Sequence, residues 1–303
     1  MKIFGGSTSY KLARKVAEKL KIKLSSLEIH LFPDEEKRVR CVEKVLGEHC
    51  VVVQSTSINA DKNYMELFLI VDALKRNGAK TVTAIIPYLG YQRQDHIFRE
   101  GEGVSIEIII KLLESVGIDK IITFDLHSVK IPELFRVPVV HLSALSLFAN
   151  KIKQNQWSNT DTSLISPDMG GIRRIKILSQ LLNGMPYAII EKNRNLASGS
   201  ISMIRAEGAI KRKAIIVDDM ISTGITIARA ADFLKKKGAE EMFVFATHPV
   251  FSGNATEILQ RSIVKKVYVT DTIDVASEKY FPKLEVLSVA GVTAEEMRMH
   301  PND

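Results

Sequence analysis

The 303-residue chain reads as an α/β protein of two similar domains, each with a mostly parallel central sheet flanked by helices. Three observations predict this. Short apolar, β-branched runs alternate with helix-like segments along the whole chain, as they do where crossover helices join parallel strands. No low-complexity linker interrupts the alternation. The stretch Val71 to Tyr88, VDALKRNGAKTVTAIIPY, is echoed about 160 residues later by ADFLKKKGAEEMFVFATHP, Ala231 to Pro249, with Asp72 matching Asp232, Leu74 matching Leu234 and Gly78 matching Gly238. In both copies a helix ends on lysines and a capping glycine and then feeds a strand. The expected domains are 1–145 and 146–303, with the last helix returning to the first.

Composition narrows the function. A hydrophobic content of 46% supports a sizeable core, and with 25% charged residues no apolar run approaches a membrane span. The first residues, MKIFGGSTSY, lack the apolar centre of a signal peptide, so the expected location is the cytoplasm. Cys41 and Cys50, without a metal-ligand cluster, are expected as reduced core residues. The net charge of +7 is spread over scattered Lys and Arg with few aromatics between them, which argues against nucleic acid, and small polyanions held in a pocket explain it as well. Two unit charges 4 Å apart attract by about 4 kcal/mol at an effective dielectric of 20, so a few placed cations suffice.

In chain order, Ile3 and Phe4 start a strand, and Ser7 or Ser9 can cap the helix that ends near Leu20. Leu27 to Leu31 is a strand that delivers Phe32, Pro33, Asp34, Glu35 and Glu36 to a loop. That loop is either a solvated acidic turn or a nucleobase site, where Phe stacks and carboxylates accept hydrogen bonds. Val51 to Gln54 is a strand before a helix from about Asp61. Beyond the strand ending at Pro87, the loop Tyr88 to Gly103 offers Arg93 and Arg99 as forks for phosphate, with Gln94 and Asp95 as polar contacts. Its place after a strand's carboxyl end favours a site over a plain surface loop.

Lys120 to Phe124 is a strand that ends in Asp125, Leu126, His127 and Ser128. Leu164 to Ser166 is another, ending in Pro167, Asp168, Met169 and two glycines. His127 and Asp168 could share a divalent ion, and magnesium fits better than zinc because it prefers oxygen and keeps water and substrate phosphates in its shell. The strand Tyr187 to Ile190 precedes EKNRNLASGS, in which Lys192 and Arg194 point the same way if the chain stays extended and Gly199 suggests a flexible flap. Ala214 to Val217 is a buried strand, with Asp218 and Asp219 placed where it leaves the sheet. Ser222, Thr223, Gly224, Ile225 and Thr226 then lead into a helix to Lys237. Carboxylates for sugar hydroxyls, followed by small hydroxyls and free N–H groups for a phosphate, make a sugar-phosphate cradle, although an ordinary capped turn reads the same on spacing alone. Lys265 to Thr270 and Leu284 to Val289 complete the strands.

The string AIIVDDMISTGIT resembles the phosphoribosyl-pyrophosphate loop of phosphoribosyltransferases and ribose-phosphate pyrophosphokinases. FPDEE, YQRQD, ITFDLHS, SPDMGG, EKNR, VDDMISTGIT and FSGNA, in that order over nearly the whole chain, resemble the ribose-phosphate pyrophosphokinase family. The resemblance implies two phosphoribosyltransferase-like domains, cytoplasmic nucleotide biosynthesis, and transfer of the β,γ-diphosphoryl group of ATP to the 1-hydroxyl of ribose 5-phosphate, with release of AMP. It places ATP on Phe32, Asp34, Glu35, Glu36, Arg93, Gln94, Asp95 and Arg99, and magnesium on His127 and Asp168. Ribose 5-phosphate falls on Arg194, Asp218, Asp219 and Ser222 to Thr226, with Lys192 and Arg194 closing over the transferring group. It also implies a homo-oligomer in which a neighbouring subunit supplies the acidic loop, with no nucleic-acid or membrane partner. Two departures, Ser222-Thr223 in place of Asp-Thr and the absence of a lysine-rich run after Asp95, look like the archaeal-type branch, so phosphate activation, ADP allostery and a hexamer are not carried over. The alternatives are a phosphoribosyltransferase and a non-catalytic nucleotide-binding regulator.

Overall fold

The computed structural model describes residues 1–194 and 201–300, leaving aside the side chains of residues 192–194 and 201–204. Its contacts divide the chain into two units, 1–142 with 272–274 and 288–303, and 143–271 with 275–287.

The first unit runs β1 (Lys2–Gly5), α1 (Tyr10–Leu20), β2 (Leu24–Ser25), β3 (Leu27–Leu31), β4 (Lys37–Cys41), β5 (His49–Val53), α2 (Ala60–Arg76), β6 (Thr81–Ile86), α3 (Ser105–Ser115), β7 (Lys120–Phe124) and β8 (Val139–Leu142). The second holds α4 (Leu145–Gln154), β9 (Thr162–Ser166), α5 (Ile172–Leu181), β10 (Tyr187–Arg194), β11 (Ile201–Gly208), β12 (Lys213–Ile221), α6 (Ile225–Lys236), β13 (Glu241–Pro249), α7 (Ala255–Arg261), β14 (Lys266–Thr270) and β15 (Leu284–Leu287). The chain then enters α8 (Ala290–Met299), which packs on α1 in the first unit.

Among the described residues, the first sheet has the order β2-β1-β5-β6-β7-β8, all parallel. The second has the order β11-β10-β9-β12-β13-β14-β15, parallel except for the β10/β11 pair. Removing β11 leaves the same order in both, with β5-α2-β6 matching β12-α6-β13. The sequence echo therefore falls on equivalent crossovers. Gly78 and Gly238 close α2 and α6 at φ of 84° and 96°, a conformation that a Cβ disfavours.

Strands covered by helices on both faces carry unbroken apolar runs, as Val51–Val53, Ile121–Ile122 and Ala214–Val217 do. Ser9 occupies the N-cap position of α1 without capping it. Its hydroxyl accepts the Ser55 N–H at 2.8 Å, and the Ser7 hydroxyl donates to Glu66, so the expected cap is displaced by tertiary partners. Both cysteines are free, and burial pushes the Cys50 thiol up to about 11, far from a working nucleophile. Among the described residues no helix is long and apolar enough to cross a membrane.

Candidate active site

The second unit gathers its chemistry at the carboxyl end of β12. The neighbouring β9 ends at Ser166, and its last pairing with β12 is Ile165 with Ile216. On the other side β13 continues to Pro249 and keeps pairing with β12 through Ile221. Asp218 and Asp219 therefore stand inside the strand rather than beyond it, which corrects the shorter strand expected from the apolar run. Among the described residues, β12 has no strand partner on the β9 side beyond Ile216.

Arg174, on the first turn of α5, faces both carboxylates. Its guanidinium nitrogens lie 3.6 Å from Asp218 Oδ1 and 3.7 Å from Asp219 Oδ1, and the three side chains are 15%, 16% and 7% exposed. Burial first, and then the Asp219 charge, hold the Asp218 carboxyl well above its ordinary range. Arg174 draws it partly back, and Asp168 opposes that. The turn carrying Asp168 is fastened by the Ser166 hydroxyl, which donates to the Asp168 carbonyl at 2.7 Å. A Cβ at Gly171 would collide with the Ser166 hydroxyl, so a side chain there would displace the group that fastens the Asp168 turn.

From β12 the chain turns through Ser222 and Thr223 to Gly224, whose φ of 74° starts α6. A Cβ at Gly224 would meet the Ala255 carbonyl oxygen at 3.1 Å and Leu259 Cγ at 3.2 Å. The Ser252 N–H donates to the Ser222 carbonyl at 2.9 Å, and the two hydroxyls lie 3.2 Å apart, so the Phe251–Ala255 motif braces this loop. No side chain caps α6, which leaves its first-turn N–H groups directed beyond the helix. Thr223 and Ile225 are exposed and Thr226 is half-buried. Carboxylates, hydroxyls and a helix N-terminus thus share one rim, an arrangement able to hold a polyol that bears a phosphate.

In the first unit β3 and β4 form a separate antiparallel hairpin, and Phe32 to Glu36 is its tip. The Phe32 N–H donates to the Glu36 carbonyl at 2.8 Å, the Glu36 N–H to Asp34 Oδ1 at 3.2 Å, and Glu35 takes φ of 70°. Asp34, Glu35 and Glu36 are exposed. The Phe32 ring is half-buried between the His30 edge, at a centroid distance of 4.8 Å, and the Arg38 guanidinium at 5.7 Å. A cleft of about 420 Å³ lies between this tip and Lys62, Met65 and Leu69 of α2. Glu35 is ion-paired to Lys62 at 2.8 Å.

The loop from β6 to α3 exposes Arg93, Gln94 and Arg99 and half-buries Asp95, which meets His96 Nδ1 at 2.7 Å. Gln94 is held by the Ser105 hydroxyl. His127 follows β7 and is exposed. Its N–H donates to the buried Gln92 side chain at 2.9 Å, so one residue ties the Arg93 loop to the His127 loop.

His127 belongs to the first unit and Asp168 to the second. Among the described residues, no three His, Cys, Asp or Glu side chains gather to hold a metal. The backbones of Lys192 and Arg194 continue β10, past a register slip between Glu191 and Lys192, into an antiparallel hairpin with β11. Their side chains, and Gly199 with the rest of the expected flap, lie outside the described residues. Sequence reasoning missed Arg174 and Gln92. Ile172 to Lys176 reads as an ordinary basic helix surface, and only the fold shows Arg174 turned to Asp218. Gln92 sits beside Arg93 with nothing local to mark it as buried.

Comparison with known proteins adds three findings. The family described as the N-terminal domain of ribose phosphate pyrophosphokinase matches residues 1–117, and the phosphoribosyl synthetase-associated domain matches residues 199–303. The ribose-phosphate pyrophosphokinase of Fusobacterium nucleatum is 38% identical over 297 residues, covering 97% of this chain and 93% of that protein. Ribose-phosphate pyrophosphokinase 1 of Streptococcus mutans is 38% identical over 303 residues, covering 99% and 94%. The crystal structure of phosphoribosylpyrophosphate synthetase from Mycobacterium smegmatis superposes with a TM-score of 0.92 at 35% identity, covering 100% of this chain and 99% of that one. These relatives are bacterial, and the archaeal-type branch read from Ser222-Thr223 and the loop after Asp95 finds no support among them.

Proposed function

The chain belongs to the ribose-phosphate pyrophosphokinase family, with two phosphoribosyltransferase-like α/β domains, and from that premise we propose that it transfers the β,γ-diphosphoryl group of ATP to the 1-hydroxyl of ribose 5-phosphate. The bond between the β-phosphorus and the α,β-bridging oxygen breaks, AMP leaves, and 5-phosphoribosyl 1-diphosphate is the product. The observation that carries this reading is the rim formed by Asp218, Asp219 and the uncapped start of α6, within a chain related to these enzymes over nearly its full length.

The second unit is assigned ribose 5-phosphate. Asp218 and Asp219 accept hydrogen bonds from the ribose hydroxyls, while Ser222 to Thr226 and the first N–H groups of α6 hold the 5-phosphate. The first unit is assigned ATP. Phe32 lies against the base, Asp34 to Glu36 take its polar edge, and Arg93, Gln94, Asp95 and Arg99 serve the phosphates. Lys192 and Arg194 offset charge on the transferring group, and such contacts contribute roughly 10³ to 10⁵ in rate to phosphoryl transfer. Magnesium is the proposed cofactor, with His127 and Asp168 as protein ligands. The oxygen-rich surroundings of Asp168 suit a hard cation that takes its remaining ligands from water and substrate phosphates. When bound it neutralises the polyphosphate. The resemblance further supports a homo-oligomer in which the Phe32 to Glu36 tip serves a neighbouring copy.

Purified protein supplied with ATP, magnesium and ribose 5-phosphate should form AMP at a rate that depends on the sugar phosphate. AMP that accumulates equally without it, or none at all, would refute the assignment.

A further inference from the structure

We propose that the buried Glu66 and its partner Lys37 are positioning residues that hold the Phe32 to Glu36 tip in its nucleotide-binding position. The inference rests on the assignment of that tip to ATP.

The β3–β4 hairpin is outside the six-stranded sheet, so no ladder hydrogen bonds to that sheet fix its position. Alternation places Leu27, Ile29 and Leu31 on one face with their partners Cys41, Val39 and Lys37. At the base of the hairpin Leu27, Ile29, Val39 and Cys41 pack on the core. Toward the tip that packing gives out, since Leu31 is 56% exposed. The residue opposite it, Lys37, turns inward to Glu66 of α2 at 2.6 Å.

Glu66 is 1% exposed, an uncommon place for a carboxylate unless every lone pair is used. It accepts the Ser7 N–H at 2.7 Å, the Ser7 hydroxyl at 2.9 Å and the Gln54 amide at 3.0 Å. Those three donors belong to two residues, Ser7 and Gln54, in the turns after β1 and β5 at the carboxyl end of the sheet. The fourth, Lys37, is the first residue of β4, directly after Glu36. Lys37 also donates to the Lys62 carbonyl at 3.3 Å, and Lys62 reaches forward to Glu35. The sheet's carboxyl end is therefore joined to the base of the tip through one buried carboxylate. Losing that tie frees the hairpin to swing about its apolar base, which misplaces Phe32 and weakens ATP without altering the groups that act on the transferring phosphoryl.

The test compares steady-state kinetics of Lys37→Met, Lys37→Arg, the double variant Lys37→Met/Glu66→Gln and a Phe32→Ala control. Lys37→Met alone strands a buried carboxylate, and the double variant keeps the experiment interpretable if that protein folds poorly. The expected result is a rise in KM for ATP of roughly 5- to 20-fold in both tie-breaking variants, with kcat and KM for ribose 5-phosphate unchanged and partial recovery in Lys37→Arg. Phe32→Ala should raise KM for ATP alone. Tie-breaking variants that keep a normal KM for ATP while Phe32→Ala loses it would overturn the positioning role. Loss of kcat and both KM values in parallel with thermal stability would overturn it too, leaving a purely structural pair. A Phe32→Ala protein with unaltered ATP saturation would instead sink the assignment of the tip to ATP.

Discussion

The crossings from β5 to α2 and from β12 to α6 occupy the same place in the two units, yet only the second keeps chemistry at its surface. In the first unit Gln54, Ser55, Thr56 and Ser57 are all buried. The Gln54 amide bridges the Thr8 hydroxyl and Glu66, and the Thr56 hydroxyl donates to the Tyr88 carbonyl while accepting the Gly90 N–H. In the second unit the equivalent stretch carries two carboxylates and an arginine counter-charge, while neither helix start has a side-chain cap. Both helices begin from a left-handed residue, Asn59 at φ of 62° and Gly224 at 74°. A common backbone thus supports either a closed polar plug or an open rim. In the first unit the polar side chains are buried against one another, the Glu66 carboxylate among them, and in the second two adjacent carboxylates face one arginine and keep negative charge at the rim for a ligand.

The second unit also carries the β10–β11 hairpin, where the first unit's sheet ends at β2. Lys192→Ala and Arg194→Ala should give the largest effect on this comparison. We expect turnover to fall roughly 10³-fold or more in both, with substrate saturation little changed in Lys192→Ala. Near-normal turnover in both would remove the hairpin's claim to catalysis.

Asp218→Asn comes next, with KM for ribose 5-phosphate rising roughly 10- to 100-fold, the worth of a charge-assisted hydrogen bond. Its effect on stability should have the opposite sign. The folded Asp218 binds its proton more tightly than the unfolded chain does, so this group's contribution is full below the ordinary value of 3.8 and is lost as pH rises toward its raised folded value. In magnesium-free buffer near neutral pH the Asn variant should therefore be the more stable of the two in a urea melt, and the gain should fade as the pH falls toward 4. A gain that grew on acidification would contradict the burial argument.

In the first unit the order of effects should reverse. Gln54→Ala removes a partner of the buried Glu66 and should cost about 1–3 kcal/mol in a urea melt, while ribose 5-phosphate saturation stays normal. A shifted KM for that substrate would mean that the plug also serves the ligand. The smallest expected effect compares the two helix starts. Gly224→Ala should cost about 1–2 kcal/mol, because a side chain there is strained and crowded, whereas Asn59→Gly should be close to neutral. Equal costs at both sites would show that the left-handed start matters less than the surrounding packing.

Most of the fold was legible because its signals are local. The strands at Lys120–Phe124 and Leu27–Leu31 and the helix from Ile225 follow from apolar runs and turn residues within a few positions. The antiparallel partners β4 and β11 were not read. Lys37–Cys41, KRVRC, is too charged to look like a strand, and it pairs only because β3 lies beside it. Of the site, Asp218, Asp219 and Ser222 to Thr226 were legible together because they are contiguous. Arg174 was not, because its role depends on α5 standing at the edge that β9 vacates, and neither fact is written near residue 174.

What the sequence by itself determined is the set of short-range choices: which segments are strands or helices, where glycine must end a helix, and which residue types stand at strand ends. Side-chain periodicity and backbone sterics act over a few residues, so they can be read without coordinates. The tertiary structure alone decided how far β12 runs, which of two equivalent crossings is filled, and that a buried Glu66 meets a lysine 29 positions away. Burial, and the electrostatics that follow from it, depend on neighbours brought together by the whole chain, and no local window of sequence contains them.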